Sequence, residues 1–357
     1  MLDRYAVSLI LTLSTIVFLA CLVTLHTFNS NDTVGCKSSK FSFLDDDSQI
    51  SLIKGVIFGS ATLSVFGSLF IIFSYYYFIP LRTFPIKMIV MLSFSDLFSS
   101  VAYFVGFANH SSSCFEKELS CSLSSVMTQF FDVASFCWMT VIAFNIYQII
   151  TKARGAGVES NEKYYHAFSW GVSSVLLIIV VSTGSMGDAG NWCWIKHEYI
   201  YERLFCYYIP LLLIIVAMTV IYTKIGRNLK NFEMHETTNA IIRRLKLYLA
   251  VFLITRIPSV ANRVVEMVNQ ESTFVLMLLH AIFSPLQGFL NALIYGMNKK
   301  IIRQWKEFIS TNCSCCRISK HTAANAQSNA GNDTREWVPN TSDAGDFHGV
   351  AANASQN

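Results

Sequence analysis

Charge is scarce in this chain. Asp, Glu, Lys and Arg make up 14% of its 357 residues, hydrophobic residues make up 53%, and the mean hydropathy is +0.43; soluble domains carry about a quarter charged residues. That shortage excludes an ordinary water-soluble domain. The net charge is only +4 and falls mainly in short loops between apolar runs, which excludes a nucleic-acid surface and leaves anionic lipid or an acidic partner. Other absences exclude further classes. No H-E-x-x-H occurs, and only His166 and His280 lie in or at apolar runs, too few ligands for an intramembrane zinc hydrolase. His197-Glu198 lacks a second histidine. No Lys lies between 273 and 297, where a seven-span light-driven pump needs its Schiff-base lysine. No internal repeat is visible, and the runs read as unbroken at mid-membrane, unlike those of many transporters. The chain is expected not to be an enzyme and to carry no cofactor and no metal.

What is present is apolar length. Seven runs, 55 to 79, 88 to 108, 125 to 150, 164 to 184, 204 to 223, 247 to 268 and 273 to 297, each match the roughly 20 residues that a helix needs to cross a bilayer. Alternate loops are basic. Arg82 and Lys87 follow the first run, Lys152, Arg154 and Lys163 the third, and Lys224, Arg227, Lys230, Arg243, Arg244 and Lys246 the fifth. The other loops hold only Lys117, Lys196 and Arg203, with Arg263 near the sixth, so the basic set is expected to face the cytoplasm. Lys299, Lys300, Arg303 and Lys306 open a tail on the same side. The expected fold is an all-α membrane protein: a seven-transmembrane helix bundle over 55–297 in the plasma membrane, with a cytoplasmic C-terminus.

Residues 1–28 read as a signal peptide or a signal anchor, because 6–28 is apolar, follows Arg4, and is longer than a usual signal core. Residues 29–54 are expected outside. Asn31 and Asn109 head sequons on that side; those at Asn332, Asn340 and Asn353 are expected to be silent in the tail. Cys36, Cys114, Cys121 and Cys193 fall outside, where disulfides persist. A Cys121–Cys193 bridge is preferred because it would pin the fourth loop over the outer mouth, although other connectivities remain open. Residues 298–310 gather Ile301, Ile302, Trp305 and Phe308 on one face, an amphipathic eighth helix followed by palmitoylation candidates Cys313, Cys315 and Cys316. The tail, 311–357, is rich in Ala, Asn, Ser and Gly and is expected to be disordered.

Polar residues inside a membrane are costly and need partners or a wet cavity. Asp96 lies in the second run. Ser284, Gln287, Asn291 and Tyr295 form one stripe on the seventh at helical spacing. Asp96 and Asn291 are expected partners through water or a bound cation, making Asp96, Asn291 and Tyr295 a polar switch network. Asp132, about two turns inside the third run, and Arg256, midway along the sixth, are the second pair; a lone charge there costs at least ~2.5 kcal/mol. Together with Arg263 they are the ligand-binding candidates. Pro258 weakens the sixth run's hydrogen-bond ladder and is a candidate hinge.

Five stretches carry a family resemblance: Phe130 to Trp138 (FFDVASFCW), Glu162-Lys163-Tyr164-Tyr165 with Trp170-Gly171, Gly190-Asn191-Trp192-Cys193-Trp194, Asn262-Arg263-Val264, and Asn291 to Asn298 (NALIYGMN). Through them the chain resembles the cyclic-AMP receptor-like family of G-protein-coupled receptors, over 51 to about 305. The resemblance implies a bundle that binds an extracellular ligand and activates a heterotrimeric G protein. It also implies that Cys121 and Cys193 form the family's outer disulfide, and that Asp96, Asn291 and Tyr295 match its polar positions. Arg256 stands where the family usually has Trp, and Asp132 where it has a small or neutral residue, so cyclic AMP itself is not implied. The acidic-Arg-Tyr triplet of rhodopsin-like receptors is absent after Asn145. Movement of the sixth run would present Lys152, Arg154, Arg243, Arg244 and Lys246 to the G protein. A polytopic transporter or channel is the alternative.

Overall fold

The computed structural model describes residues 47–107, 114–151, 161–190, 192–229, 236–269 and 273–312. Asn31, Cys36, Asn109, Lys152, Arg154, the cysteines at 313, 315 and 316, and the tail lie outside the described residues, as do the side chains of Cys114, Arg243, Arg244 and Lys246.

Helices dominate, as the apolar runs require. In chain order they are α1 (Asp47–Tyr77), a single 3-10 turn (Ile79–Leu81), α2 (Phe84–Phe107), α3 (Cys114–Thr151), α4 (Glu162–Ser182), a hairpin of β1 (Met186–Asp188) and β2 (Cys193–Ile195), α5 (Ile200–Arg203), a π-helical turn (Leu204–Tyr208), α6 (Ile209–Leu229), α7 (Glu236–Asn269), α8 (Phe274–Phe283), α9 (Gln287–Gly296) and α10 (Lys299–Asn312). Among the described residues, five helices are long and apolar enough to cross a membrane, and six if the bent pair α8 and α9 is one span. The expected sixth span, 247–268, lies inside the 34-residue α7 and is not among them; it carries Arg256, Arg263 and Glu266.

Helix α3 sits at the centre. Its apolar window is 78% buried, against 33% to 56% for the other spans. The stretch Phe130–Trp138 makes that position: Phe130 stacks on Trp170 at 6.0 Å, and Trp138 meets Trp170 at 5.7 Å and His166 at 4.9 Å. These edge and stacked contacts weld α3 to α4. Trp170 Nε1 donates to His166 Nδ1 at 3.2 Å, so that histidine is a packing residue with a satisfied nitrogen. One turn earlier, at the start of α4, Glu162 meets Lys87 near the start of α2 at 2.6 Å.

Three local departures from plain helices shape the site. The fourth loop folds as a short antiparallel hairpin pairing Met186 with Ile195, Gly187 with Trp194 and Asp188 with Cys193. Gly187 has φ +151° and Gly190 φ +109°, values that favour a residue without Cβ. Just after the π-turn, Pro210 of α6 has no N–H to offer the carbonyl four residues back, Cys206; that carbonyl accepts Gln129 Nε2 at 3.0 Å instead. The third departure is a 47° bend between α8 and α9. The seventh run was expected as one unbroken helix, but Pro285 cannot donate to Ala281, and the chain turns through Ser284, Pro285 and Leu286 before α9 starts. Helix α7 passes through Pro258 unbroken.

The chain divides at Ile301 into two units. The second, from Ile302, holds most of α10, where the Trp305 and Phe308 rings lie 5.7 Å apart.

Candidate functional site

The two polar pairs expected from sequence merge into one network. Asp132 on α3 accepts Ser99 Oγ on Oδ1 at 2.6 Å, and on Oδ2 it accepts Tyr207 Oη at 3.1 Å and Arg256 Nη1 at 3.2 Å. Arg256 also donates from Nη1 to Tyr207 Oη and Ser284 Oγ, each at 3.2 Å, and from Nε to Gln287 Oε1 at 3.0 Å. Its guanidinium lies 4.5 Å from the centre of the Phe136 ring, a cation–π contact in a dry setting. Gln287 then donates from Nε2 to Asp96 Oδ1 at 3.0 Å and to Ser135 Oγ at 2.6 Å. Ser135 donates to Asp96 Oδ1 at 2.7 Å, and Asn291 Nδ2 to Asp96 Oδ2 at 2.8 Å. One chain of hydrogen bonds therefore runs from Asp132 through Arg256, Gln287 and Asp96 to Asn291, joining α2, α3, the π-turn, α7 and α9.

Every member is at least nine-tenths buried. Burial at that depth is tolerated because each charged group has several partners, and one guanidinium is shared between two carboxyl-bearing halves of the network. The sequence pattern explains the local supply of partners. Tyr207 reaches Asp132 because the π-turn after Arg203 keeps Cys206, Tyr207 and Tyr208 all buried. The break at Pro285 lets Ser284 and Gln287, on its two sides, address the same arginine.

The expected partners Asp96 and Asn291 are bonded directly, Asn291 Nδ2 donating to Asp96 Oδ2. Tyr295 takes no part: its hydroxyl is buried without a hydrogen-bond partner, and its ring packs edge-on to Phe70 at 6.4 Å. Gln287 was legible only as part of a stripe, yet it is the bridge.

Arg263, the third expected ligand residue, belongs to a separate cluster at the hairpin end of the helices. It pairs with Glu266 through Nη1 and lies 5.5 Å from the Trp192 ring and 5.8 Å from the Trp194 ring. Arg203 approaches the same carboxylate at 3.5 Å, donates from Nε and Nη2 to the Ile195 carbonyl at 2.9 and 2.6 Å, and sits 5.5 Å from Trp194. Trp194 Nε1 donates to Gln129 Oε1 at 3.0 Å. The hairpin is thus tied to α3, α5 and α7 by its two tryptophans. It is also tied covalently, since Cys121 of α3 and Cys193 of β2 form a disulfide with Cα atoms 5.1 Å apart. His197 Nδ1 lies 2.8 Å from Glu266 Oε1. Burial, with Arg203 and Arg263 close by, holds the His197 pKa below the usual histidine value although Glu266 opposes the shift. Glu266 and Arg203 were missed as site residues; the Arg263 to Glu266 spacing of three on a helix was the available signal.

Among the described residues, no group of three or more His, Cys, Asp or Glu is arranged to hold a metal ion. Residues 45–336 match the family described as slime mold cyclic AMP receptor. The chain is similar to cyclic AMP receptor-like protein A of Dictyostelium discoideum, 28% identical over 307 residues, covering 83% of this chain and 78% of that protein. It is similar to G-protein coupled receptor 1 of Arabidopsis thaliana, 28% identical over 271 residues, covering 71% and 80% respectively. It is also similar to G-protein coupled receptor 157 of Mus musculus, 26% identical over 307 residues, covering 76% and 89%.

Proposed function

The chain belongs to the slime mold cyclic AMP receptor family, and on that premise we propose that it is a seven-span receptor of the plasma membrane that takes a small polar or anionic ligand from outside and activates a heterotrimeric G protein at its cytoplasmic face. The receptor domain is 55–297, between an outer segment and a cytoplasmic tail. The observation that carries the reading is the buried hydrogen-bond chain from Asp132 to Asn291, because it couples five elements through groups that have more than one way to pair. A ligand that binds one arrangement better than another shifts the population by at most its differential affinity.

In this reading, Asp132 and Arg256 are the pair that an incoming polar group competes for, and Arg263 contributes from the hairpin-end cluster. The guanidinium of Arg256 offers a planar fork to an oxyanion, while Asp132 offers an acceptor to a cationic or hydroxyl group. Because Arg256 lies on α7 two residues before Pro258, loss of its bond to Asp132 frees a helix that already lacks one bond of its ladder. Movement of α7 then exposes a surface built by Lys152, Arg154, Arg243, Arg244 and Lys246 to an acidic G-protein surface. Cys313, Cys315 and Cys316 would hold α10 at the membrane by acylation, and Asn31 and Asn109 would carry glycans.

The test is nucleotide exchange by a heterotrimeric G protein on vesicles holding the purified chain, screened against nucleotides and other small anions. One compound is expected to raise exchange, and Arg256→Ala is expected to abolish the response at an equal amount of folded protein in the vesicles. Normal signalling by that variant would overturn the proposal. The bent α8–α9 pair favours a second reading, because broken helices at mid-membrane are common in transporters. Labelled-substrate flux into the same vesicles without any exchange on the G protein would establish that alternative.

A further inference from the structure

The hairpin-end cluster is more than an anchor for the hairpin, because its charges do not balance. Two arginines, 4% and 6% exposed, face one glutamate that is 4% exposed. Guanidinium groups stay protonated at any physiological pH, and a buried cation without its own counter-ion is costly. The same residues line a small cleft made by His197, Ile200, Arg203, Leu204, Tyr208, Arg263 and Glu266. Arg263 Nε is buried and has no hydrogen-bond partner of normal geometry. A cleft, a missing anion and an unused donor at its wall point to the same ligand chemistry.

We propose that this cleft is a binding site for an oxyanion, a carboxylate or phosphate group, held between Arg203 and Arg263, with Glu266 as the built-in competitor it displaces. The proposal rests on the reading of the chain as a receptor approached from outside, and it names the group that the outer end accepts. Geometry favours an oxyanion over a halide. Arg263 already engages the Glu266 carboxylate, and the planar fork of a guanidinium fits carboxylate and phosphate in the same bidentate manner. Arg203 keeps its Nε and Nη2 on the Ile195 carbonyl, which fixes its orientation and leaves Nη1, now at 3.5 Å from Glu266, to turn to an incoming oxygen. The tryptophans at 192 and 194 flank the arginines, so occupancy has an optical reporter. The apolar walls, Ile200 and Leu204, admit either a free anion or the headgroup of an amphiphile whose chain lies along the exposed Tyr201 and Phe205.

The experiment uses the full chain in lipid nanodiscs and reads tryptophan fluorescence and thermal stability. Inorganic phosphate and acetate are titrated in phosphatidylcholine discs against chloride at equal ionic strength, and the untitrated protein is compared in discs with and without phosphatidic acid. A saturable response to phosphate in neutral discs identifies a soluble oxyanion; a response only to phosphatidic acid identifies a lipid headgroup. Either supports the proposal, and the same small response to phosphate, acetate, chloride and phosphatidic acid overturns it. Arg263→Gln should weaken binding by roughly tenfold or more, the loss of a charge-assisted hydrogen bond, and Arg263→Lys should restore only part. Glu266→Gln is the decisive variant. Removing the competitor should tighten binding several-fold, whereas a merely structural Glu266 would leave affinity unchanged or lower it. Because the readout is binding, its failure leaves G-protein exchange to be judged separately.

Discussion

If Asp132 and Arg256 form one unit, removing both should cost far less than the sum of removing each. Arg256→Gln takes away a guanidinium that bonds to Asp132, Tyr207, Ser284 and Gln287 and leaves a buried carboxylate unpaired. Breaking one side of such a pair costs about 3–5 kcal/mol. Asp132→Asn strands the guanidinium instead, with a cost of similar order. Added independently, the two would remove about 6–10 kcal/mol, comparable to the whole stability of many domains at 5–15 kcal/mol. The double variant replaces the ion pair with two amides that can bond to each other and to Ser99, Tyr207 and Ser284, so a coupling energy of about 2 kcal/mol or more is expected. The assay is denaturant titration of the four proteins in micelles, followed by tryptophan fluorescence with the disulfide intact. Additivity within about 0.5 kcal/mol would refute the claim that these residues share one interaction. A second readout separates geometry from signalling: a double variant that regains stability but not ligand-evoked exchange supports the pair as the ligand's target, and one that regains both makes it structural.

Three further outcomes follow from particular contacts. Cys121→Ser should destabilise the chain by about 4 kcal/mol, the entropy model's value for a sequence separation of 72, and reducing agent should match it in the parent but add nothing to the variant. Gly67→Ala brings a Cβ to 2.7 Å from the Phe289 Cα and 3.1 Å from the Ala292 Cβ, while Gly55 has nothing within 4 Å; thermal unfolding should show a loss of about 1–3 kcal/mol for the first and a change between zero and a gain of about 1 kcal/mol for the second. For His197, the folded pKa is lowered, first by burial and then by Arg203 and Arg263, so the unfolded chain binds the proton more readily. Stability should therefore be full above the ordinary histidine value of about 6.5 and decline as pH falls below it, with His197→Gln flattening that slope; an unchanged slope would show that another group titrates there.

Length and charge cost made much of this molecule legible. An apolar run of bilayer length has few folds open to it, and a charge inside one needs a partner, which is why Asp132 and Arg256 could be matched 124 residues apart. The bridge Cys121–Cys193 was favoured because it would pin the fourth loop to the third span, and the two cysteines do form a disulfide. The hairpin was not legible, since strands of three residues leave no period to detect. Neither was the contrast between two prolines. Pro258 looked like the hinge, yet α7 runs through it, while the chain turns at Pro285, where Ser284 and Gln287 both bond to Arg256. Identity alone does not decide whether a proline breaks a helix; the bonds available on either side do. Glu266 escaped because it sits near the end of an apolar run, where a charge reads as a boundary rather than as a partner.

Both clusters hang on α7. Arg256 and Arg263 are seven residues apart on it, two turns and roughly 10.5 Å along its axis, so they project from nearly the same face. One holds the bend between α8 and α9 through Ser284 and Gln287; the other holds the hairpin through Trp192 and Trp194. A rotation of α7 large enough to release either guanidinium strains the other. If the hairpin-end cleft and the central network are both occupied in signalling, their affinities must be linked through this one helix, and linkage of binding energies is reciprocal. An oxyanion that pulls Arg263 away from Glu266 should then change the strength of the Asp132–Arg256 contact, and a variant that severs that contact should change oxyanion affinity by the same factor. Equal oxyanion affinity in the parent and in the Asp132→Asn, Arg256→Gln double variant would mean that α7 transmits nothing between its two arginines.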